Sequence, residues 1–183
     1  TQLLSRGFRV YHDFPAEGFN IDHVVIGPTG VFAVETKARS KPTSGDGKRD
    51  ATVVFDGRQL VFPWGAEAHC LEQAARQAAW LQRWLRQAVG EPVPVQAVLA
   101  LPGWFVERKG RGAVLVFNPG ETMALFPKMS GARLDEKQVA QVAYQVEHRC
   151  RTVEPQRYGG GGERLRWAPF LTKSERPTPH AAT

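Results

Sequence analysis

Asp22, Glu35 and Lys37 stand in a segment that would carry all three to one surface of a sheet. The run from Asn20 to Lys37 reads NIDHVVIGPTGVFAVETK. Gly27-Pro28-Thr29-Gly30 is a turn signal between two apolar arms. Pairing Ile26 with Val31, or Gly27 with Gly30, gives one register, and in that register Asp22 lies opposite Glu35. Opposed residues share a face with Cβ atoms about 5 Å apart. Glu35 and Lys37 are two apart and share that face as well. Facing carboxylates repel each other, and a divalent cation turns the repulsion into a binding site. Mg²⁺ takes oxygen ligands and keeps several waters, so two carboxylates are enough and a substrate phosphate can complete the site. Such a metal lowers the pKa of bound water and neutralises charge building on phosphorus. A lysine beside it can orient the attacking water or stabilise a phosphorane-like transition state as a fixed positive charge. These residue types suit metal-dependent hydrolysis of a phosphodiester. The pattern E-x-K also recurs in surface strands, where the charges only face water. Here the apolar run VFAV reaches up to Glu35, which sets the acid at the end of a buried strand, and a buried acid needs a partner.

The elements that would position these residues follow from periodicity and breakers. Thr1 to Arg6 reads as the end of a helix closed by Gly7, and Phe8 to Phe14 alternates as a strand. Ser40 to Asp50 is polar, with Pro42, Gly45 and Gly47, and reads as a mobile loop. Ala51 to Phe62 reads as a second hairpin turning at Asp56-Gly57. Ala66 to Val89 carries Leu71, Ala74, Ala78, Leu81, Leu85 and Ala88 as one helical stripe, ended by Gly90 and Pro92. Val93 to Leu101 suits a buried central strand, and Ala113 to Phe117 another. Leu134 to Arg151 is a second helix with Leu134, Val139, Val142, Val146 and Cys150 on one side. This order of elements is α/β, with one mixed central β-sheet flanked by helices.

With that layout in place, Asn20 to Lys37 resembles the signature of the NERD (nuclease-related) domain, which is similar to the PD-(D/E)xK nuclease superfamily. YHDFP before the hairpin, the Asp-Gly hairpin after it, HCLEQAARQAAWLQRWL, VQAVLALPG and the closing helix extend the likeness over roughly residues 3 to 150. The resemblance implies a restriction-endonuclease-like core and a nuclease that cuts DNA, or RNA, with a Mg²⁺-activated water, Mn²⁺ substituting, and leaves a 5′-phosphate. It implies Asp22 and Glu35 as metal ligands with the main-chain carbonyl of Thr36, Lys37 as catalytic lysine, and Gln73 as an accessory polar residue that orients water, lysine or phosphate. Two departures stand out. Ile21 replaces the usual Pro before the Asp, and the Gly-Glu-containing first helix of the family would lie upstream of Thr1. The chain begins without Met and reads as a piece of something longer, its first helix truncated. A second reading keeps the fold as a non-catalytic nucleic-acid-binding or regulatory module of a larger DNA-processing protein.

Composition bounds the rest. In 183 residues, 42% hydrophobic and 23% charged, there is one domain's worth of core. It spans residues 1–151, and 152–183 read as a basic Gly/Pro-containing appendage, partly disordered. Net charge is +6, and from Arg149 onward seven Lys or Arg against three Glu supply +4 of it. The excess suits a polyanionic partner, and the resemblance to a nuclease family favours DNA over RNA. Lys41, Lys48 and Arg49 follow the catalytic strand and are candidate phosphate contacts. No apolar run approaches the roughly 18 residues a membrane span needs, and no signal peptide is evident. Cys70 and Cys150 lack CxxC partners, which speaks against structural zinc and for free thiols in a reducing cytoplasm. Other domains of a parent chain and a homodimer are possible partners. Gly159 to Gly162 lacks the Lys-Ser or Lys-Thr of a P-loop. Glu17 could add a third carboxylate or simply be solvated. His12 and Asp13 read as a polar strand end, and His23 as facing away from the acids. Gln77 stands one turn after Gln73, and Trp80 and Trp84 read as core or interface aromatics.

Overall fold

A computed structural model describes residues 7–41, 51–121 and 133–156. The expected helix end before Gly7, most of the loop to Asp50 and residues 157–183 of the 152–183 appendage lie outside the described residues. The turn at Gly27 to Gly30 sets the frame. Strand β1 (Arg9–Pro15), β2 (Asn20–Gly27) and β3 (Gly30–Thr36) form an antiparallel meander. Gly30 has φ +126°, a conformation in which a side chain is strained. Gly27 is fixed by packing instead, since the Phe8 ring lies where its Cβ would be, at 2.2 Å.

The chain then leaves the sheet. Strands β4 (Thr52–Phe55), β5 (Leu60–Phe62) and β6 (Gly65–Glu67) precede helix α1 (His69–Val89), and the chain returns through β7 (Val95–Ala100), β8 (Phe105–Arg108), β9 (Val114–Phe117) and α2 (Glu136–Thr152). β7 joins β3 in parallel and β9 joins β7 in parallel, giving the order β1-β2-β3-β7-β9. β3 is thus the middle strand, buried on both faces, which explains its apolar run. The α/β class with a mixed sheet flanked by two helices is as expected. The expectation of a single sheet is corrected: β6-β5-β4-β8 form a second sheet, because the second hairpin pairs with β6 on one side and β8 on the other. That pairing also moves the helix start from Ala66 to His69, since Gly65–Glu67 pair with β5. The β4–β5 turn has its tip at Gly57 and Arg58, closed by Asp56 N–H donating to Gln59 O.

α1 ends on Gly90 in the left-handed conformation, whose N–H donates to Arg86 O. α2 begins with a capping box between Asp135 and Gln138. The buried stripes of both helices, one sheet face and the inner face of the second sheet make the main core, around Phe14, Val24, Ala33, Leu81, Leu99 and Trp104. A smaller cluster on the other face holds Phe8, Val25, Phe32, Val34, Val98, Ala100 and Phe117. Trp80 and Trp84 pack parallel to each other, edge-on to Phe14, with the Arg149 guanidinium over both rings. Both cysteines are free thiols. Among the described residues no helix is long and apolar enough to cross a membrane.

Candidate active site

The carboxyl ends of the parallel strands β3, β7 and β9 lie side by side, the edge at which open α/β sheets characteristically bind ligands. Glu35 stands there on the middle strand and is only 3% exposed. Its neighbours account for that burial. The Lys37 ammonium is 2.6 Å from Oε1. Gln73 Nε2 donates to the same oxygen at 2.9 Å, and Gln77 Nε2 donates to Oε2 at 2.6 Å. Strand alternation sets Glu35 and Lys37 on the face that α1 covers, and the one-turn spacing of Gln73 and Gln77 presents both amides to it. The Lys37 main-chain N–H donates to Ala100 O at 3.0 Å, which ties the lysine's backbone to β7.

Asp22 faces the same region from β2. The ladder pairs His23 with Val34, so continuing it by one residue sets Asp22 against Glu35. Asp22 Oδ2 accepts the Thr36 N–H at 2.8 Å, which closes the end of the hairpin. Burial pushes its carboxyl up to about 6, and the charge of Glu35 adds to the rise. The Thr36 N–H and Lys37 oppose it, and Asp13 contributes a further like charge. Asp13, read from sequence as a strand end, therefore bears on Asp22. It holds φ +50°, which Asp tolerates better than most residues.

Counting lone pairs shows what this arrangement can still accept. Each carboxylate oxygen offers about two acceptor sites. Lys37 and Gln73 fill those of Glu35 Oε1, whereas Oε2 has Gln77 alone. Asp22 Oδ2 holds the Thr36 N–H. One site on Glu35 Oε2 and oxygen sites on Asp22 remain for a cation. Gln77 Oε1 is buried without a hydrogen-bond partner among the described residues, an acceptor beside the acids. No cluster of three or more His, Cys, Asp or Glu side chains occurs among the described residues. Two carboxylates with oxygen sites to spare are a donor set that could hold Mg²⁺, which takes one or two carboxylates and retains water.

The remaining candidates separate. Thr36 ends β3 between Glu35 and Lys37, so its carbonyl lies at the same strand end, while its side chain alternates away from Glu35. Lys41 is exposed just past the strand; a Cβ on Gly103 would meet its Nζ at 3.5 Å. Lys48 and Arg49 lie outside the described residues. Glu17 is exposed in the β1–β2 connection. His23 lies away from the acids, its Nδ1 2.8 Å from His12 Nδ1. Gln77, to which the family resemblance gives no role, touches Glu35 as closely as Gln73 does. The available signal is its place in the apolar stripe of α1, between Ala74 and Leu81, where a polar residue needs a buried partner.

No curated protein and no solved structure matches this chain. The nuclease-related domain family, NERD, matches residues 1–102, more than half of the 183 and inclusive of every strand and helix that touches Glu35. The fold is compatible with a restriction-endonuclease-like core. The chain belongs to the NERD family, within the PD-(D/E)xK-like nuclease superfamily.

Proposed function

We propose that this chain is a metal-dependent nuclease that hydrolyses phosphodiester bonds of DNA. The observation that supports it best is the convergence on one buried carboxylate, Glu35, of a lysine and two glutamine amides, with Asp22 on the adjacent strand. A purely structural acid would not need a second acid nearby. Asp22, Glu35 and the Thr36 carbonyl would hold Mg²⁺, or Mn²⁺ in its place. The cation would supply charge neutralisation at the phosphate and a lowered pKa for water.

The chain's own groups do the rest. Gln73 and Gln77 fix the plane of the Glu35 carboxylate by donating to opposite oxygens, so it does not swing when substrate charge arrives. The Thr36 N–H fixes Asp22 in the same way. Lys37 keeps part of its side chain exposed, 24%, while its ammonium holds Glu35. It can therefore face solvent-borne phosphate and stabilise the charge that develops on its oxygens. α1 packs on β3 and β7 and so covers the sheet face that carries Glu35.

The test is a cleavage assay with plasmid, single-stranded DNA and RNA in Mg²⁺, Mn²⁺ or EDTA, beside Asp22→Asn and Lys37→Ala. Cleavage should need the cation and fall on the order of 10²–10³-fold in each variant. Cleavage that persists in EDTA or survives Asp22→Asn would overturn the proposal. Binding without any cleavage would favour the non-catalytic module.

A further inference from the structure

Trp64 stands in the turn between β5 and β6, and 53% of its surface is exposed. A short turn after Pro63 does not require a tryptophan. The indole is held firmly nonetheless. It stacks on Phe62 with centroids 4.9 Å apart and an interplanar angle of 5°. It meets Trp104 nearly at a right angle, at 5.4 Å. Phe62 and Trp104 are both buried, at 3% and 0% exposure. Phe62 covers one face of the indole, so the exposed area belongs to the other. A large aromatic face, fixed and turned to solvent, is the feature that unpaired bases use for stacking.

Its position relates it to the acids. Trp104 Nε1–H donates to Arg39 O at 3.3 Å, which ties the aromatic cluster to the segment leaving β3 two residues after Lys37. Arg39 is engaged by Glu67 at 2.9 Å. Lys41 is not engaged by any ion pair among the described residues, and its ammonium lies over Gly103, next to Trp104. An exposed aromatic face and an exposed cation thus flank one turn, Pro102 to Trp104, beside the chain that carries Lys37.

We propose that Trp64 is a nucleobase-stacking platform that works with Lys41 to hold unpaired DNA leading toward Lys37 and Glu35. The inference rests on the nuclease reading for its direction along the strand, and on the aromatic geometry for the binding itself. One unstacked base lies on the open indole face, and a neighbouring phosphate meets Lys41. Duplex DNA keeps its bases stacked on each other and offers Trp64 no free face, so single strands are preferred.

The experiment is anisotropy of a labelled oligothymidylate, about 20 nucleotides to exceed one site, and of a duplex of equal length. The full chain is used in EDTA so that no turnover intervenes. Trp64→Ala should weaken single-strand binding roughly 5- to 100-fold, Trp64→Phe should retain most of it, and duplex binding should not change in either. Lys41→Ala should weaken both and flatten the salt dependence. Equal single-strand affinity in Trp64→Ala and the parent, or an equal loss on duplex, would overturn the proposal. Thermal unfolding checks each variant. Where Trp64→Ala does not fold, Trp64→Leu keeps apolar cover on Phe62 without a π-face and decides the question. Trp64-dependent binding with no Mg²⁺-dependent cleavage would sink the nuclease reading alone, and cleavage with Trp64-independent binding would sink only this one.

Discussion

The two faces of the β1–β2–β3 meander each bring two like groups together, and they solve the problem differently. On one face His12 and His23 pair directly across β1 and β2, ring nitrogens 2.8 Å apart. On the other, one residue along, Asp22 meets Glu35. The imidazoles need nothing else, because one neutral ring can donate its Nδ1 proton to the other. Burial pushes His23 down to about 3 and lowers His12 too, which keeps both rings neutral. Two carboxylates have no such arrangement while both are ionised. They recruit Lys37, two glutamines and the Thr36 N–H, and Asp22 is still pushed up to about 6. The histidine pair is self-sufficient and reads as structure. The acid pair remains short of positive charge, and the proposed cation site rests on that shortage.

The largest expected effect tests how much of the acid face depends on its lysine. Lys37→Ala should destabilise the fold by roughly 3 kcal/mol, because it leaves Glu35 buried with its charge uncompensated. Lys37→Arg should recover most of that in urea titrations. If Lys37→Ala unfolds at the parent's midpoint, the ion pair does not hold the site. Asp22→Asn should act in the opposite direction. The folded-state pKa of Asp22 lies above its unfolded value, so its contribution to stability falls as pH rises from 3.8 through about 6. The neutral amide should therefore stabilise the metal-free protein at pH 7 by up to about 3 kcal/mol, with the gain vanishing near pH 4. Mg²⁺ should raise the Tm of the parent and not of this variant. The smallest effect belongs to the imidazoles, where the sign reverses. Their folded pKa values lie below 6.5, so stability is present above that pH and is lost as pH falls toward about 3. Replacing His12 and His23 together by valine should remove about 1–2 kcal/mol of the parent's loss between pH 7 and 5, nearly all of it from His23, since solvent screens the exposed His12. Identical pH profiles for the double variant and the parent would break the contrast between the faces.

Much of this was legible in the sequence where local rules suffice. Side-chain alternation and a four-residue turn fixed the register, and with it the shared face of Asp22, Glu35 and Lys37. The apolar stripe announced α1, and Gly90 its end. Long-range pairing hid the rest. Gly65–Glu67 and Phe105–Arg108 are short segments without strong strand periodicity, and they become strands only because β5 and β4 offer partners. The second sheet was therefore invisible as a sheet. The place of Gln77 in the apolar stripe marks it as buried, but which acid it serves depends on the strand that the helix covers. Asp13 looked like a polar strand end, because its positive φ leaves no mark in the residue type.

The contacts around Glu35 also order events in time. Asp22 and Thr36 are 14 residues apart and come together when the hairpin closes. Gln77 reaches Glu35 from 42 residues away, and β3 meets β7 across a still longer separation. Distant contacts form more slowly than local ones, since a larger loop must close first. On that ground the paired acids are expected to come together before the amides that orient them and the strand that flanks them. Completion of the contacts around Glu35 is then expected among the last steps of assembly, and it serves as a report that assembly is complete.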